Sequence, residues 1–327
     1  MEVDLNAHPM YILDVLSVLA RHVPFVQLMD MFRWEWPAPM AVDPEVKQRI
    51  WSKIGKYMPV DARPWFFPSL SDSGGALTGL FVLHILMENS EWAATYQGDV
   101  DMEIVVETGH EEPITSFFCD IEYKVGRIDI PPEFESTVES AYELVNDSGD
   151  EVLRVKIYVS KSSAASVVLS NRYTALMNVI TREEVVVLCP TTTFANETLV
   201  CGTDHDDLLD DTKLPFQCFV DNSHWTTECG DECPMVYRKT FGDGGVRILK
   251  WDSKYVAEEG DTKQPLGDDR WASAESGWGG DGDERAMRTT HFCLKEAVRW
   301  RVSEECRRPG CPNAQALAAR RAYISFV

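Results

Sequence analysis

The chain has 327 residues, of which 44% are hydrophobic, and its formal net charge is −22, from 53 acidic and 31 basic residues. This length and apolar content are sufficient for one large domain or two small ones with a sizeable core. The acidic balance argues against broad nucleic-acid binding, because a phosphate backbone needs clustered lysine and arginine side chains.

The first 70 residues are predicted to form a helical N-terminal segment. Apolar residues between positions 12 and 20 follow helical spacing, and the same spacing resumes after Pro24. The apolar run is broken by Asp14 and is shorter than the ~20 residues that cross a bilayer, so no membrane-spanning segment is expected. The acidic start of the chain differs from the basic start of a secretory signal, so we expect an intracellular protein, cytoplasmic or nuclear.

Residues 71–200 are predicted to form an α+β core, because helix patterns and strand patterns alternate along this part of the chain. Helices are expected over 80–87 and 132–144, strands over 99–106 and 152–160, and a strand joined to a helix over 177–190. Interleaving of this kind indicates a sheet flanked by helices.

The stretch from Gly74 to Val106 carries the most specific chemistry. A glycine turn leads into a short apolar helix, and the predicted strand then opens with Asp99-Val100-Asp101. Successive side chains of a strand point to opposite faces, so Asp99 and Asp101 share a face with Glu103. Magnesium binds carboxylate oxygens together with substrate phosphates, and a helix start offers N–H groups to anions. This layout can therefore hold a divalent cation and a phosphate chain together.

These features resemble the nucleotidyltransferase fold of the polymerase-β superfamily. In that fold, a Gly-Ser or Gly-Gly pair at a helix start precedes Asp-x-Asp on a strand, and a third carboxylate follows on a later strand. More narrowly, three segments in order are similar to an expanded family in mushroom-forming fungi: GGALTGLFVLHIL, GDVDMEIVV and ALMNVITREEVVVLCPTTTF. The resemblance covers roughly residues 65–200 and implies a mixed sheet flanked by helices.

The resemblance implies magnesium-dependent transfer of a nucleoside monophosphate from a nucleoside triphosphate to an acceptor. Asp99 and Asp101 would hold the magnesium, and Gly79 would let the backbone approach the triphosphate. Two residues depart from the pattern. Leu80 stands where active members place Ser or Gly, and Lys156 lies on the strand that should bring the third acid. Leucine has no hydroxyl to offer a phosphate, and lysine would repel a second metal, although it could neutralise a bound phosphate.

Three functions stay open from the sequence. The preferred hypothesis is a degenerate nucleotidyltransferase-like protein that retains nucleotide or metal binding, or serves as an interaction module for an unknown protein partner. The second is an active transferase, with Glu103, Asp120 or Asp129 as its third acid. The third is a zinc-stapled interaction protein. His84, on the predicted helix, is interpreted as a packed side chain, with ligand contact as the alternative.

Residues 201–327 are predicted to form an irregular, cysteine-bearing C-terminal part. A flexible insertion is expected at about residues 256–290, which are rich in Gly, Asp, Glu and Ser. His224, His291 and Cys293 are further candidate metal ligands in this part of the chain.

Two close cysteine pairs in the C-terminal part could hold structural zinc, which needs four Cys or His ligands. The pairs are Cys229 with Cys233 and Cys306 with Cys311. Their gaps of three and four residues are wider than the two-residue gap that is typical of zinc sites. Reduced cysteines packed in a core or a loop are therefore the preferred interpretation, with zinc as the alternative.

Overall fold

A computed structural model describes residues 9–34, 37–88, 90, 96, 100–147, 149, 151–201, 216–225, 229–239, 244–254, 299–303 and 306–314. The described chain has a mixed sheet of eight strands with helices packed against it, which confirms the α+β class. Among the helices in these ranges, none combines the length and the apolarity needed to cross a bilayer. The predicted insertion at 256–290 lies outside the described residues.

The N-terminal part consists of helices that pack on one another and on the sheet. They are α1 (Pro9–His22), α2 (Phe25–Met31), α3 (Ala38–Ile54) and α4 (Arg63–Asp72), and a 3-10 turn (Gly55–Tyr57) extends α3. Arg49, buried in an ion pair within α3, joins α3 to the end of α1. Arg49 Nε donates to Glu45 Oε1 over 2.7 Å, and Arg49 Nη2 donates to the backbone oxygens of Ala20 and Val23. A cation at the C-terminal end of α1 also favours the helix dipole.

The described residues form twelve strands, numbered in chain order. They are β1 (Ala76–Thr78), β2 (Met102–Val106), β3 (Lys124–Ile128), β4 (Val138–Asn146), β5 (Leu153–Ser160), β6 (Val179–Ile180), β7 (Glu184–Val187), β8 (Glu197–Leu199), β9 (Gln217–Phe219), β10 (Arg238–Lys239), β11 (Arg247–Lys250) and β12 (Arg299–Trp300). The main sheet has the order β11-β7-β6-β1-β2-β5-β4-β3. In this sheet β2 and β5 run parallel, and the other neighbouring strands are antiparallel.

The sheet is covered on both faces. Its first face carries Ile104 and Ile157 and packs against the N-terminal helices, α5 (Gly79–Leu86) and α6 (Glu112–Asp120). Its second face carries Val105 and Tyr158 and packs against α7 (Ala164–Leu169). The short helix α8 (Pro190–Phe194) follows β7. Burial of apolar side chains on both faces explains the apolar runs at residues 104–106 of β2 and 185–187 of β7.

The helix predicted over 132–144 is wrong. This stretch holds a 3-10 turn (Pro132–Phe134) and then most of β4. Val138, Ala141 and Leu144 follow helical spacing, but Ala141 faces the second core and Leu144 faces the first. Both are buried because β4 is an interior strand, and a bulge between Val138 and Ser140 shifts the register. Three-residue apolar spacing therefore arises here from a strand that is covered on both sides.

Two other predicted elements have different bounds in the structure. The strand predicted to begin at Asp99 begins at Met102, and Asp99 itself lies outside the described residues. The stretch 177–190 forms the β6–β7 hairpin before it reaches the short helix α8. Thr181 closes this hairpin, because its hydroxyl accepts hydrogen bonds from the backbone N–H groups of Glu183 and Glu184.

The C-terminal part contributes to the main sheet as well as forming small sheets of its own. Strand β11 pairs with β7 and so extends the main sheet, and Trp251 packs edge-to-face on Phe67 at 5.1 Å. Strand β8 pairs with β9 in parallel, and β10 pairs with β12 in antiparallel orientation. The described C-terminal residues are thus anchored to the core at several places.

Candidate functional site

Three charged side chains meet on the second face of the sheet. Asp101 directly precedes β2, Glu103 lies on β2, and Lys156 lies on β5. Because β2 and β5 are parallel neighbours, Glu103 is paired in register with Lys156. Lys156 Nζ lies 2.8 Å from Asp101 Oδ2, and the two side chains are 32% and 25% exposed. We call Asp101, Glu103 and Lys156 the polar cluster.

The glycine turn at the start of α5 faces Glu103. Gly79 has a φ of +68°, in the region that favours glycine, and a Cβ at this position would lie 2.5–2.7 Å from the Glu103 carboxylate. The backbone N–H of Leu80 donates to Glu103 Oε1 over 3.2 Å. Glu103 therefore occupies the place beside the helix start that an external anion would take.

A buried asparagine directly before β6 supports this turn. The Thr78 hydroxyl donates to the backbone oxygen of Asn178 over 3.1 Å, and the Asn178 side-chain amide donates to the backbone oxygen of Ala175 over 2.7 Å. Asn178 is fully buried. It belongs to the Met-Asn-x-Ile-Thr segment that carries the family resemblance, although the sequence did not mark it as a site residue.

Burial and charge shift the titration of two members of the polar cluster. Burial raises the pKa of Glu103 to about 7; the Leu80 N–H and Lys156 lower it, while Asp101 and Glu133 raise it. Burial alone would lower the pKa of Lys156, but the hydrogen bond and charge of Asp101, with Glu103, raise it above the ordinary value. Lys156 is thus held as a cation between carboxylates.

Of the three predicted third acids, Glu103 belongs to the polar cluster, and the other two lie elsewhere. Asp120 ends α6, which packs on the first face, and Asp129 follows β3 at the edge of the sheet. Both are exposed. Glu133, on the 3-10 turn, was missed by sequence reasoning because that stretch was predicted to be a helix; its charge reaches Glu103.

The polar cluster does not fit a magnesium ion. Magnesium requires carboxylate oxygens that are available for coordination, together with substrate phosphates. The ammonium group of Lys156 is already paired with Asp101, and the Leu80 N–H is already bonded to Glu103. The protein itself therefore supplies an ammonium group to Asp101 and a backbone N–H to Glu103.

The four cysteines of the two predicted pairs come together. Their sulfur atoms all lie within 4.8 Å of one another. Cys229 Sγ lies 3.7 Å from Cys306 Sγ, and Cys233 Sγ lies 3.7 Å from Cys311 Sγ, so these are thiols and not disulfides. We call this group the cysteine cluster. It could hold a metal ion such as zinc, and it joins chain segments 77 and 78 residues apart.

Polar groups point at the sulfur atoms of the cysteine cluster. The side-chain amide of Asn222, which is 1% exposed, donates to Cys229 Sγ over 3.4 Å and to Cys306 Sγ over 3.1 Å. Burial raises the pKa of Cys311, but hydrogen bonds from the backbone of Ala314, from Cys306 and from Asn313 lower it below its ordinary value. Sequence reasoning missed Asn222, since only its position in space marks it.

His224, another proposed C-terminal ligand, is not a member of the cysteine cluster. His224 stacks on Phe219 with the ring centroids 3.5 Å apart, and its Nε2 lies 3.3 Å from Glu197 Oε2. His291 and Cys293 lie outside the described residues.

No protein-family model, no curated protein and no solved structure matches this chain. The chemistry of the polar cluster and of the cysteine cluster is therefore the basis on which a function is assigned.

Proposed function

We propose that this chain is a nucleotidyltransferase-like protein without transferase activity, which acts by binding a protein partner and carries structural zinc in its C-terminal part. The observation that carries the proposal is the ion pair between Lys156 and Asp101 at 2.8 Å. The order of elements supports the resemblance. A glycine turn opens α5, Asp101 precedes the neighbouring strand β2, and β5 lies directly beside β2.

The position of Lys156 argues against metal-dependent transfer. In a two-metal site, the ions are held by carboxylates on both sides of the reacting phosphate. Here the next strand supplies an ammonium group in contact with Asp101. Two like unit charges repel by roughly 4 kcal/mol at about 4 Å and an effective dielectric constant of 20, and a divalent ion would be repelled more strongly. Lys156 thus opposes the ion that the reaction needs.

The helix start also disfavours triphosphate binding. Gly79 is positioned against the carboxylate of Glu103, and the Leu80 N–H donates to that carboxylate. A phosphate placed at this helix start would bring a second anion against Glu103, with a desolvation cost for both. Leu80 offers no hydroxyl to offset this cost.

An assay of transfer tests the proposal directly. The full chain is incubated with magnesium and each labelled nucleoside triphosphate, and Asp101→Asn serves as the matched control. We expect equal background labelling in both proteins. Labelling by the wild-type chain that Asp101→Asn abolishes would instead identify an active transferase. A rise in Tm with nucleotide, without transfer, would identify residual nucleotide binding.

Exchange of the lysine sharpens this test. Lys156→Asp places a carboxylate beside Asp101 in place of the ammonium group. We expect magnesium to raise the Tm of Lys156→Asp and to leave that of the wild-type protein unchanged, because only the variant has adjacent uncompensated carboxylates. A magnesium-dependent rise of equal size in both proteins would contradict the assignment of Lys156 as the group that opposes metal binding.

Zinc is the metal that the cysteine cluster fits best. Sulfur ligands 2.3 Å from a tetrahedral zinc ion lie about 3.8 Å apart, and two sulfur pairs here are separated by 3.7 Å. The amide of Asn222 and the backbone N–H groups near Cys311 are donors that would stabilise thiolates. Bound zinc would hold the segment around Cys233 against the segment around Cys311.

Metal analysis of the purified full chain tests this assignment. We expect about one zinc ion per chain, as for a four-cysteine structural site. Cys233→Ser should lose the zinc, whereas Cys119→Ser, at an exposed cysteine on α6, should keep it. Zinc-free protein with its four thiols reactive toward a thiol reagent would exclude the metal role.

A further inference from the structure

A cavity lined in part by Asp101 lies beside the polar cluster. Its volume is 560 Å³, within the range of about 300–1,000 Å³ that is typical of small-molecule sites. It is enclosed by the end of α3 with its 3-10 turn, by α5, and by the chain that leads into β2 and β5. Its lining includes the cationic, aromatic and imidazole side chains of Lys53, Lys56, Tyr57, Phe81, His84 and Arg154.

The floor of the cavity is aromatic and held in place. Tyr57 and Phe81 are buried, and their rings meet edge-to-face at 5.6 Å. The Tyr57 hydroxyl donates to the backbone oxygen of Val100 over 2.5 Å, and the backbone oxygen of Tyr57 accepts from the Tyr123 hydroxyl over 2.8 Å. A ring-bearing ligand could therefore stack against a surface that is already formed.

The rim of the cavity is cationic, in contrast to the acidic chain as a whole. Lys53 pairs with Glu88 at 3.4 Å, and Arg154 Nε lies 3.8 Å from Glu143 Oε1. Lys56 is exposed and makes no ion pair with any residue that the structure describes. Among the lining carboxylates, Asp101 is already neutralised by Lys156 and Glu151 is exposed at the rim.

His84, which also lines the cavity, is affected by the positive charges of the same lysines. Burial, followed by the charges of Lys53 and Lys56, lowers the pKa of His84 to about 4. Its imidazole is consequently neutral at physiological pH and can donate or accept one hydrogen bond. An anion placed between the two lysines would offset the part of this pKa shift that their charges cause.

We propose that this cavity binds a small organic anion with an aromatic ring, of the aryl phosphate or aromatic carboxylate class. The ring would lie on Tyr57 and Phe81, and the anionic group would face Lys53 and Lys56. The site uses neither the glycine turn nor Glu103 and shares Asp101 with the polar cluster, and binding of the anion does not require that the chain transfers nucleotides.

Calorimetric titration of the full chain with phenyl phosphate tests the site. Inorganic phosphate and phenol serve as the two halves of the probe, and benzylamine is an aromatic ring with the opposite charge. We expect phenyl phosphate to bind more tightly than either half, and benzylamine not to compete. Equal binding of phenyl phosphate and benzylamine, or binding of neither, would overturn the proposal.

Paired lysine substitutions locate the binding site. Lys53→Met with Lys56→Met should weaken phenyl phosphate binding about tenfold or more, because two charge-assisted contacts are lost. Lys124→Met with Lys161→Met makes the same change in net charge at two exposed lysines elsewhere and should leave the affinity within about twofold. Equal loss in both double variants would show non-specific attraction and refute the assignment.

Magnetic resonance of the imidazole gives a second measurement in the unsubstituted protein. The His84 ring signals, assigned by their loss in His84→Gln, should shift on addition of phenyl phosphate, and the pKa of His84 should rise above its value in the free protein. Binding that leaves these signals unmoved would place the anion elsewhere and reject this cavity as its site.

Discussion

The polar cluster and the cysteine cluster each gather side chains that bind metals in other proteins, but they differ in how their charge is balanced. In the polar cluster, the ammonium group of Lys156 already faces Asp101 at 2.8 Å, and the Leu80 N–H faces Glu103. In the cysteine cluster, the four sulfur atoms face one another and hydrogen-bond donors. The polar cluster therefore has an internal counter-charge without an ion. The cysteine cluster has hydrogen-bond donors that would stabilise thiolates, and its four sulfur atoms could hold a metal cation.

Residue types that bind metals therefore do not identify a metal site by themselves. Metal binding also depends on whether the protein already supplies a counter-charge within contact distance of those residues. Four experiments can test this contrast between the two clusters, and metal removal should have the largest effect.

Removal of metal should separate the two clusters most clearly. We expect a strong chelator, or Cys233→Ser, to lower the Tm by roughly 10 °C, because structural zinc contributes directly to folding free energy. Cys119→Ser, at an exposed cysteine, should change the Tm little. Calorimetry with and without chelator is the measurement. A Tm that does not respond to chelation would mean that the thiols alone stabilise this part of the chain.

Substitution of the glycine in the turn should be the largest single perturbation of the polar cluster. Gly79→Ala combines a φ of +68° with a clash against Glu103, and we expect a loss of about 3 kcal/mol in the free energy of unfolding. Gly109→Ala has a similar φ of +73° with no atom within 4 Å of the new Cβ, so it should lose only about 1 kcal/mol. Equal losses in chemical denaturation would show that contact with Glu103 has no energetic role.

The titration of Glu103 should make stability depend on pH. Its folded-state pKa is about 7, above the ordinary value of about 4.3 for an unfolded chain. The folded state therefore holds the Glu103 proton more tightly than the unfolded state does. The contribution of Glu103 to stability is greatest below pH ~4.3 and is lost as the pH rises through 7. Glu103→Gln keeps an oxygen for the Leu80 N–H but does not titrate. We expect its free energy of unfolding, relative to that of the wild-type protein, to be roughly 1–3 kcal/mol higher at pH 8 than at pH 5.

The control for this pH effect is Glu135→Gln, at an exposed glutamate that directly follows the 3-10 turn Pro132–Phe134. It should follow the wild-type curve of unfolding free energy against pH. If Glu103→Gln also follows that curve, Glu103 titrates normally, and the account of its burial is incorrect.

Loss of the internal counter-charge should have the smallest effect on stability. Lys156→Met removes the partner of Asp101, and we expect a loss of about 1 kcal/mol because the pair is half-buried. Lys124→Met breaks an exposed pair with Asp147 at 2.9 Å and should cost less than about 0.5 kcal/mol. If the two losses are the same in denaturant titrations, the polar cluster behaves as an ordinary surface ion pair.

Several features could be predicted from local sequence because their causes are local. The positions of the N-terminal helices follow from the periodicity of apolar residues, and the glycine turn at the start of α5 follows from Gly79 before an apolar run. The two cysteine pairs were visible as short spacings, although the preferred interpretation was separate packed thiols. The structure brings the four sulfurs together, which favours the alternative.

Other features depended on pairings between distant parts of the chain. The parallel alignment of β2 and β5 brings Lys156 to Asp101, and the antiparallel register of β1 with β2 brings Glu103 to the glycine turn. Asn222 became part of the cysteine cluster in the same way. Periodicity and spacing record only which face of an element a side chain occupies. The partner across that face is selected by strand order and register, which are global properties of the folded chain.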